Sequence, residues 1–118
     1  MSSLTINGRR KISGTHRVAG NKNAALPMIA ASLLTSEPVT ITNLPDIDDV
    51  ALMLEVAKGF GVKVMRKAGS VTLVAAKLRS AKIEPGLAAK IRTSFLFAGP
   101  LLARLGRVVL PPPGGDAI

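Results

Sequence analysis

The chain has no cysteine, no tryptophan and no tyrosine, and three phenylalanines are its only rings in 118 residues. Without thiols there is no disulfide framework, no thiolate metal site and no cysteine nucleophile, and nothing calls for an oxidising compartment. With so few rings, stacking platforms for nucleic-acid bases are nearly absent, and a core has to be built from Leu, Ile, Val, Ala and Met. Acids are scarce as well. Seven Asp and Glu stand against sixteen Lys and Arg, a formal charge of +9 and a pI near 11.0. That excess points to an anionic partner: nucleic acid, an acidic membrane surface, or a phosphorylated small substrate. Long hydrophobic runs are missing too. The apolar stretches 24–34 and 93–103 are eleven residues each and each contains a proline, against the roughly 20 residues that span a bilayer.

What is present suits a packed core. Hydrophobic residues make up 47% and charged residues 19%, with a mean hydropathy of +0.36, a balance too apolar for a disordered tail. The length allows one small domain at most. Charge is spread unevenly: residues 37–57 hold five acids and no base, whereas 58–107 hold eleven bases and one acid, Glu84. Basic residues on solvated faces of an ordinary domain are the plain alternative to an anion site. The first 36 residues carry five bases and no acid, which superficially fits a transit or signal peptide, but the same stretch has a better structural reading.

That reading begins with a short strand at Leu4–Ile6, a turn at Asn7-Gly8, and a second extended piece through Arg17 and Val18 to Gly20. Asn21 or Asn23 then caps an Ala-rich helix running to Leu34, with Pro27 near its first turn, where the missing N–H costs little. Val39–Thr42 reads as a β-branched strand closed by Asn43 and Pro45. Asp46 or Asp48 caps a second helix whose apolar positions Val50, Met53, Leu54, Ala57 and Phe60 recur at three and four, and Gly61 stops it. Val62–Met65 and Val71–Val74 flank a hairpin turn. Pro85-Gly86 opens a long helix, Leu87–Leu105, with a kink or break expected at Gly99-Pro100. Arg107–Leu110 returns as a strand. Pro111-Pro112-Pro113 then stiffens an arm that ends in Gly114-Gly115, a flexible tip with nothing to tie down its far side. The pattern predicts a fragment: one α/β unit, and a second begun. A faint echo between residues 56–62 and 102–108 supports a repeat.

Three places offer chemistry. At Gly20-Asn21-Lys22-Asn23 a helix start presents free N–H groups, the positive dipole end and a full charge on Lys22, a plausible seat for phosphate or carboxylate; a plain N-cap with a solvated lysine is the alternative. Arg92, with Lys90, Thr93 and Ser94, can offer its planar fork to a second anion, or simply snorkel at an amphipathic boundary. Asp116, on the Gly-Gly tip, can act as general acid or base once a loop closes, or it is ordinary turn chemistry. His16 has no companions for a metal, and no metal site can be assembled.

Together these segments resemble a known family. Gly20-Asn21-Lys22-Asn23-Ala24-Ala25-Leu26-Pro27, then Asn43-Leu44-Pro45 with Asp48-Asp49-Val50, then Arg92-Thr93-Ser94 with 98–104, then 113–118, are similar to the amino-terminal part of the UDP-N-acetylglucosamine 1-carboxyvinyltransferases, a family of enolpyruvyl transferases. Co-occurrence in this order over nearly the whole chain is far more specific than any one motif. The resemblance implies an α/β fold, an inside-out α/β barrel of which about one and a half repeated units are present. Residues 1–20 would pair with a missing second domain, and residues 21–118 would form an incomplete first, catalytic domain ending in the catalytic loop. It implies cytoplasmic transfer of the enolpyruvyl group from phosphoenolpyruvate to the 3-hydroxyl of UDP-N-acetylglucosamine, the first committed step of peptidoglycan synthesis. No cofactor, nucleic acid or membrane is implied.

By the same resemblance Lys22 and Asn23 match the phosphoenolpyruvate-binding pair, Lys22 also counts as catalytic, and Arg92 matches the arginine that contacts UDP-N-acetylglucosamine. Asp116 stands where most members have the loop cysteine. An ordinary Asp has a pKa of about 3.9 against about 8.5 for Cys, so a carboxyl proton donor at neutral pH needs a closed, anion-rich site to raise it. On this reading Asp116 protonates C3 of the enol, and the intact enzyme resists fosfomycin, which alkylates the cysteine of ordinary members. The isolated chain is expected to be inactive and poorly stable, with unpaired sheet edges and exposed apolar faces. Two rivals remain. A 5-enolpyruvylshikimate-3-phosphate synthase would be expected to follow its first Lys with Ser, not Asn23. A small basic nucleic-acid-binding module gains from the charge but lacks aromatics and any recognised motif.

Overall fold

The computed structural model describes residues 3–112. Helix α1 spans Lys22–Ala31 and continues as a 3-10 turn, Ser32–Leu34. Asn21, in extended backbone, caps it, its Oδ1 accepting from the N–H groups of Asn23 (2.7 Å) and Ala24 (3.2 Å). The helix buries Ala25, Leu26, Ile29 and Ala30. Pro27 lies deeper than expected, as the sixth helical residue, so the Asn23 carbonyl loses its i+4 donor. Ser32 is buried, and its hydroxyl donates back to the Ile29 carbonyl at 2.7 Å.

Strand β1 is Val39–Thr42, as its β-branched run predicts, and ends at Asn43 with φ 52°. Helix α2 is Asp48–Gly59. The expected Asp46 or Asp48 cap is not made: Ile47 occupies the cap without a side-chain bond, and Asp48 and Asp49 sit inside the first turn. There their charge meets the positive end of the helix dipole, which compensates for the absent cap. The predicted stripe holds, with Val50, Met53, Leu54, Ala57 and Phe60 all buried. Gly61, at φ 93°, turns the chain into β2, Lys63–Lys67. The two-residue turn Ala68-Gly69, with Gly69 at φ 68°, leads to β3, Ser70–Val74.

The sheet order is β1-β3-β2, with β3 antiparallel to both neighbours. Strands β1 and β2 therefore run parallel, and α2 is the crossover that parallel strands need. Ile41 pairs with Val71, and both point into the core with Leu73; on the outer face the Thr40 and Thr72 hydroxyls bond at 2.8 Å.

The second half departs from the expected long helix. It divides into α3, Pro85–Ala88, a 3-10 segment, Arg92–Phe97, and α4, Ala98–Leu105. The interruption falls at Ala89–Ile91 rather than at Gly99-Pro100, because Pro100 is the third residue of α4, where its missing N–H has no intrahelical partner to lose. The expected strand at Arg107–Leu110 reduces to one parallel bridge, Val109 with Lys82, its bonds running Val109 N to Ala81 O (2.8 Å) and Ile83 N to Val109 O (3.2 Å). A parallel pairing bracketing helices repeats the strand–helix–strand logic of the first unit. The echo is structural too: α2 passes through Gly61 into β2, and α4 passes through Gly106, at φ 70°, into the Val109 bridge.

One hydrophobic cluster runs from Ala25 to Leu101 through both halves. Phe60 and Phe97 meet edge to face at its centre, 5.2 Å apart with planes at 70°. Residues 3–20 carry no helix or strand, so the expected strand at Leu4–Ile6 is absent, as is any regular element at Arg17-Val18. Leu4, Ile6, Ile12 and Val18 are all exposed; without a ladder to join, an extended segment gains nothing from pairing.

Candidate functional site

Lys22 opens α1, and its Nζ sits 2.6 Å from Oδ2 of Asp49 in the first turn of α2. The side chains remain 52% and 37% exposed, so the pair lies at the surface where the two helix N-termini converge. Asn23 is exposed on the same turn. The N–H groups of Asn23 and Ala24, expected to be free for an anion, are already bonded by the Asn21 side chain. An anion arriving here meets the Lys22 ammonium and the Asn23 amide before any bare backbone donor.

Gly20 fixes this corner. A Cβ on Gly20 would stand 1.8 Å from the Asn43 carbonyl oxygen, so only glycine lets the approach to α1 lie against the loop between β1 and α2. The motif pieces Gly20–Asn23, Asn43–Pro45 and Asp48-Asp49, far apart in sequence, thus meet in one place.

Arg92 begins the 3-10 segment and is exposed, with Thr93 half-buried and Ser94 buried behind it. That segment packs against both α1 and α2, so Lys22 and Arg92 are carried on touching elements. Further along the same segment, Phe95 and Leu96 are exposed. Asp116 and its Gly-Gly tip lie outside the described residues. His16 is exposed in the irregular amino-terminal stretch, and among the described residues no cluster of three or more His, Asp or Glu is placed to hold a metal.

Other features escape the sequence reading. Arg104 on α4 is half-buried and donates to three backbone carbonyls: Leu33 (2.8 Å) and Thr35 (3.2 Å) through Nη1, and Ala75 (3.1 Å) through Nη2. It ties α4 to the end of the α1 segment and to the end of β3. Its only sequence signal is an arginine inside an otherwise apolar helix. Glu84 caps α3, accepting from Gly86 N (2.9 Å) and Leu87 N (2.8 Å), and these bonds hold its carboxyl below the usual range, aided by Lys90. One open cavity, about 450 Å³ between Met28 and Ala31 of α1 and strand β1, is mostly apolar and has no charged residue in its lining. It is not where an anion would bind. No helix among the described residues is long and apolar enough to cross a membrane.

This α/β architecture is shared with an enolpyruvyl transferase of known structure. The solved structure of the enolpyruvyl transferase NikO from Streptomyces tendae superposes over 84% of the chain with a TM-score of 0.73 and 28% identity, covering 23% of that protein. The profile of EPSP synthase (3-phosphoshikimate 1-carboxyvinyltransferase) matches residues 6–118, and the chain belongs to that family. Within it, the chain is 50% identical over its whole length to the UDP-N-acetylglucosamine 1-carboxyvinyltransferase of Treponema pallidum. It is 49% identical over its whole length to that of Treponema denticola, and 46% identical over 96% of its length to that of Bradyrhizobium diazoefficiens. It spans 26–28% of the length of these relatives.

Proposed function

We propose that the chain is the amino-terminal part of an enzyme that transfers the enolpyruvyl group from phosphoenolpyruvate to the 3-hydroxyl of UDP-N-acetylglucosamine in the bacterial cytoplasm, opening peptidoglycan synthesis. The observation that carries this reading is identity of 50% and 49% across the entire chain to proteins bearing that activity as their name. The fold supports it, as does the Lys22 ammonium placed at the start of α1, a group suited to a substrate phosphate.

In the reaction the 3-hydroxyl loses its proton to a base of the second domain as its oxygen bonds to C2 of the enol, while a proton is added to C3. The C2–O bond to phosphate then breaks, C3 loses a proton, and phosphate leaves. Several negative charges are held close together throughout, so fixed cations stabilise the transition state. Lys22 and Asn23 bind phosphoenolpyruvate, with Lys22 at the reacting phosphate; Arg92 contacts UDP-N-acetylglucosamine; Asp116 delivers the proton to C3. Residues 1–20 pair with the second domain, a role supported by the exposed Leu4, Ile6, Ile12 and Val18. Residues 21–118 belong to the catalytic domain, and the isolated chain is inactive.

The test is a chimera in which residues 1–118 replace the matching stretch of the Treponema pallidum relative. Phosphate release that requires phosphoenolpyruvate and UDP-N-acetylglucosamine supports the reading. Release with shikimate 3-phosphate in place of the sugar nucleotide would move the chain to the other branch of the family.

A further inference from the structure

Among the described residues, Lys22–Asp49 is the one ion pair that joins two helices; Lys58–Glu55 lies within α2, and Arg66–Asp46 links β2 to a loop. It is short, at 2.6 Å, yet both side chains are half-exposed. Exposed ion pairs contribute little to stability, so holding the fold together does not account for it. Its surroundings are built more firmly than the pair itself. Gly20 is pressed on the Asn43 carbonyl, which sets the start of α1 against the loop leading into α2. Asp49 is in the first α2 turn, where the helix dipole favours its charge. Asn21 already satisfies two first-turn N–H groups, so the ammonium is the main attraction this corner offers an anion.

We infer that Asp49 is a positioning residue for Lys22: its carboxylate holds the ammonium over the start of α1, where the phosphate of phosphoenolpyruvate is received. The inference rests on the function proposed above. A free lysine has four rotatable bonds and would have to be ordered at each binding event; an ammonium already held by Asp49 is pre-placed, and one of its other N–H donors turns to the incoming phosphate. The rival expectation is simple charge repulsion, in which the carboxylate only weakens the anion site. The two give opposite signs.

The test compares wild type, Asp49→Asn and Asp49→Glu in the same chimera. Positioning predicts that Asp49→Asn lowers kcat/KM for phosphoenolpyruvate about threefold to fivefold, the most that an exposed pair of this kind supplies. The KM for UDP-N-acetylglucosamine stays within twofold, Tm is unchanged, and Asp49→Glu regains part of the loss. An Asp49→Asn enzyme equal to wild type, or one that takes phosphoenolpyruvate more tightly, overturns the inference. So does a loss that falls equally on both substrates with a lowered Tm, which marks a purely structural role. If the wild-type chimera binds phosphoenolpyruvate by calorimetry without turnover, the transfer reading alone fails, and the same comparison is read from Kd. If it does neither, both fail.

Discussion

Removing the Arg104 guanidinium tests how the second half of the chain is fastened to the first. Its three bonds reach the Leu33, Thr35 and Ala75 carbonyls, which end the α1 segment and follow β3. A hydrogen bond contributes about 1 kcal/mol net and more when its donor is charged, so three amount to about 3 kcal/mol or more. Because Arg104 is half-buried, water replaces part of what is lost, leaving about 2 kcal/mol. In a chain of 118 residues that corresponds to a Tm lower by roughly 6–12 °C. Arg104→Met is the cleanest perturbation, since it keeps an apolar stem along the helix and removes only the donors. Arg104→Lys retains the charge but offers one compact donor group in place of a planar fork, and regains less than half of the loss. Thermal unfolding followed by far-ultraviolet circular dichroism reads both. A Tm for Arg104→Met within about 1 °C of wild type, or full recovery by Lys, would refute the reasoning.

Three further outcomes follow from single contacts. Gly20→Ala drives a Cβ into the Asn43 carbonyl, and because backbone must move the cost is about 2 kcal/mol or more; denaturant unfolding checks it. Phe97→Ala empties the fully buried partner of Phe60 and costs about 3–5 kcal/mol by the same measurement. The Glu84 carboxyl is held below its ordinary value by the cap bonds. The unfolded chain thus takes up the proton first as pH falls, and the cap's contribution, present above the ordinary carboxylate pKa, disappears on descending through the folded value. Wild type therefore exceeds Glu84→Gln in stability at pH 7, and the gap closes in acid. In the chimera, Asp116 makes activity resistant to fosfomycin; stoichiometric inactivation would contradict that.

Local signals carried much of this architecture. The β-branched run gave β1, the spacing of three and four gave the buried face of α2, and Ala68-Gly69 gave the hairpin, because each rests on residues close in sequence. Errors arose where tertiary context decides. The stretch 87–105 is expected as one helix, yet it breaks at its polar turn, Lys90 to Ser94, into α3 and a 3-10 segment that packs on α1 and α2. The amino-terminal strand was expected from Leu4–Ile6 alone, and a strand exists only with a partner. Of the candidate site, Lys22, Asn23 and Arg92 are legible as charge and amide at element starts. Asp49 as the partner of Lys22 is not, since 27 residues separate them. Nor is Arg104, whose partners are backbone carbonyls that carry no sequence signature.

The role proposed for Lys22 is to serve the phosphate of phosphoenolpyruvate in transfer to UDP-N-acetylglucosamine. Its most direct test is coupled measurement, in the chimera, of phosphate release and enolpyruvyl-UDP-N-acetylglucosamine formation for wild type and Lys22→Ala. The account predicts one phosphate per enolpyruvyl ether in the wild type and, for Lys22→Ala, kcat/KM for phosphoenolpyruvate lower by about a hundredfold, near 2.7 kcal/mol of transition-state stabilisation. Phosphate release without the ether, or a Lys22→Ala enzyme as active as wild type, would contradict it.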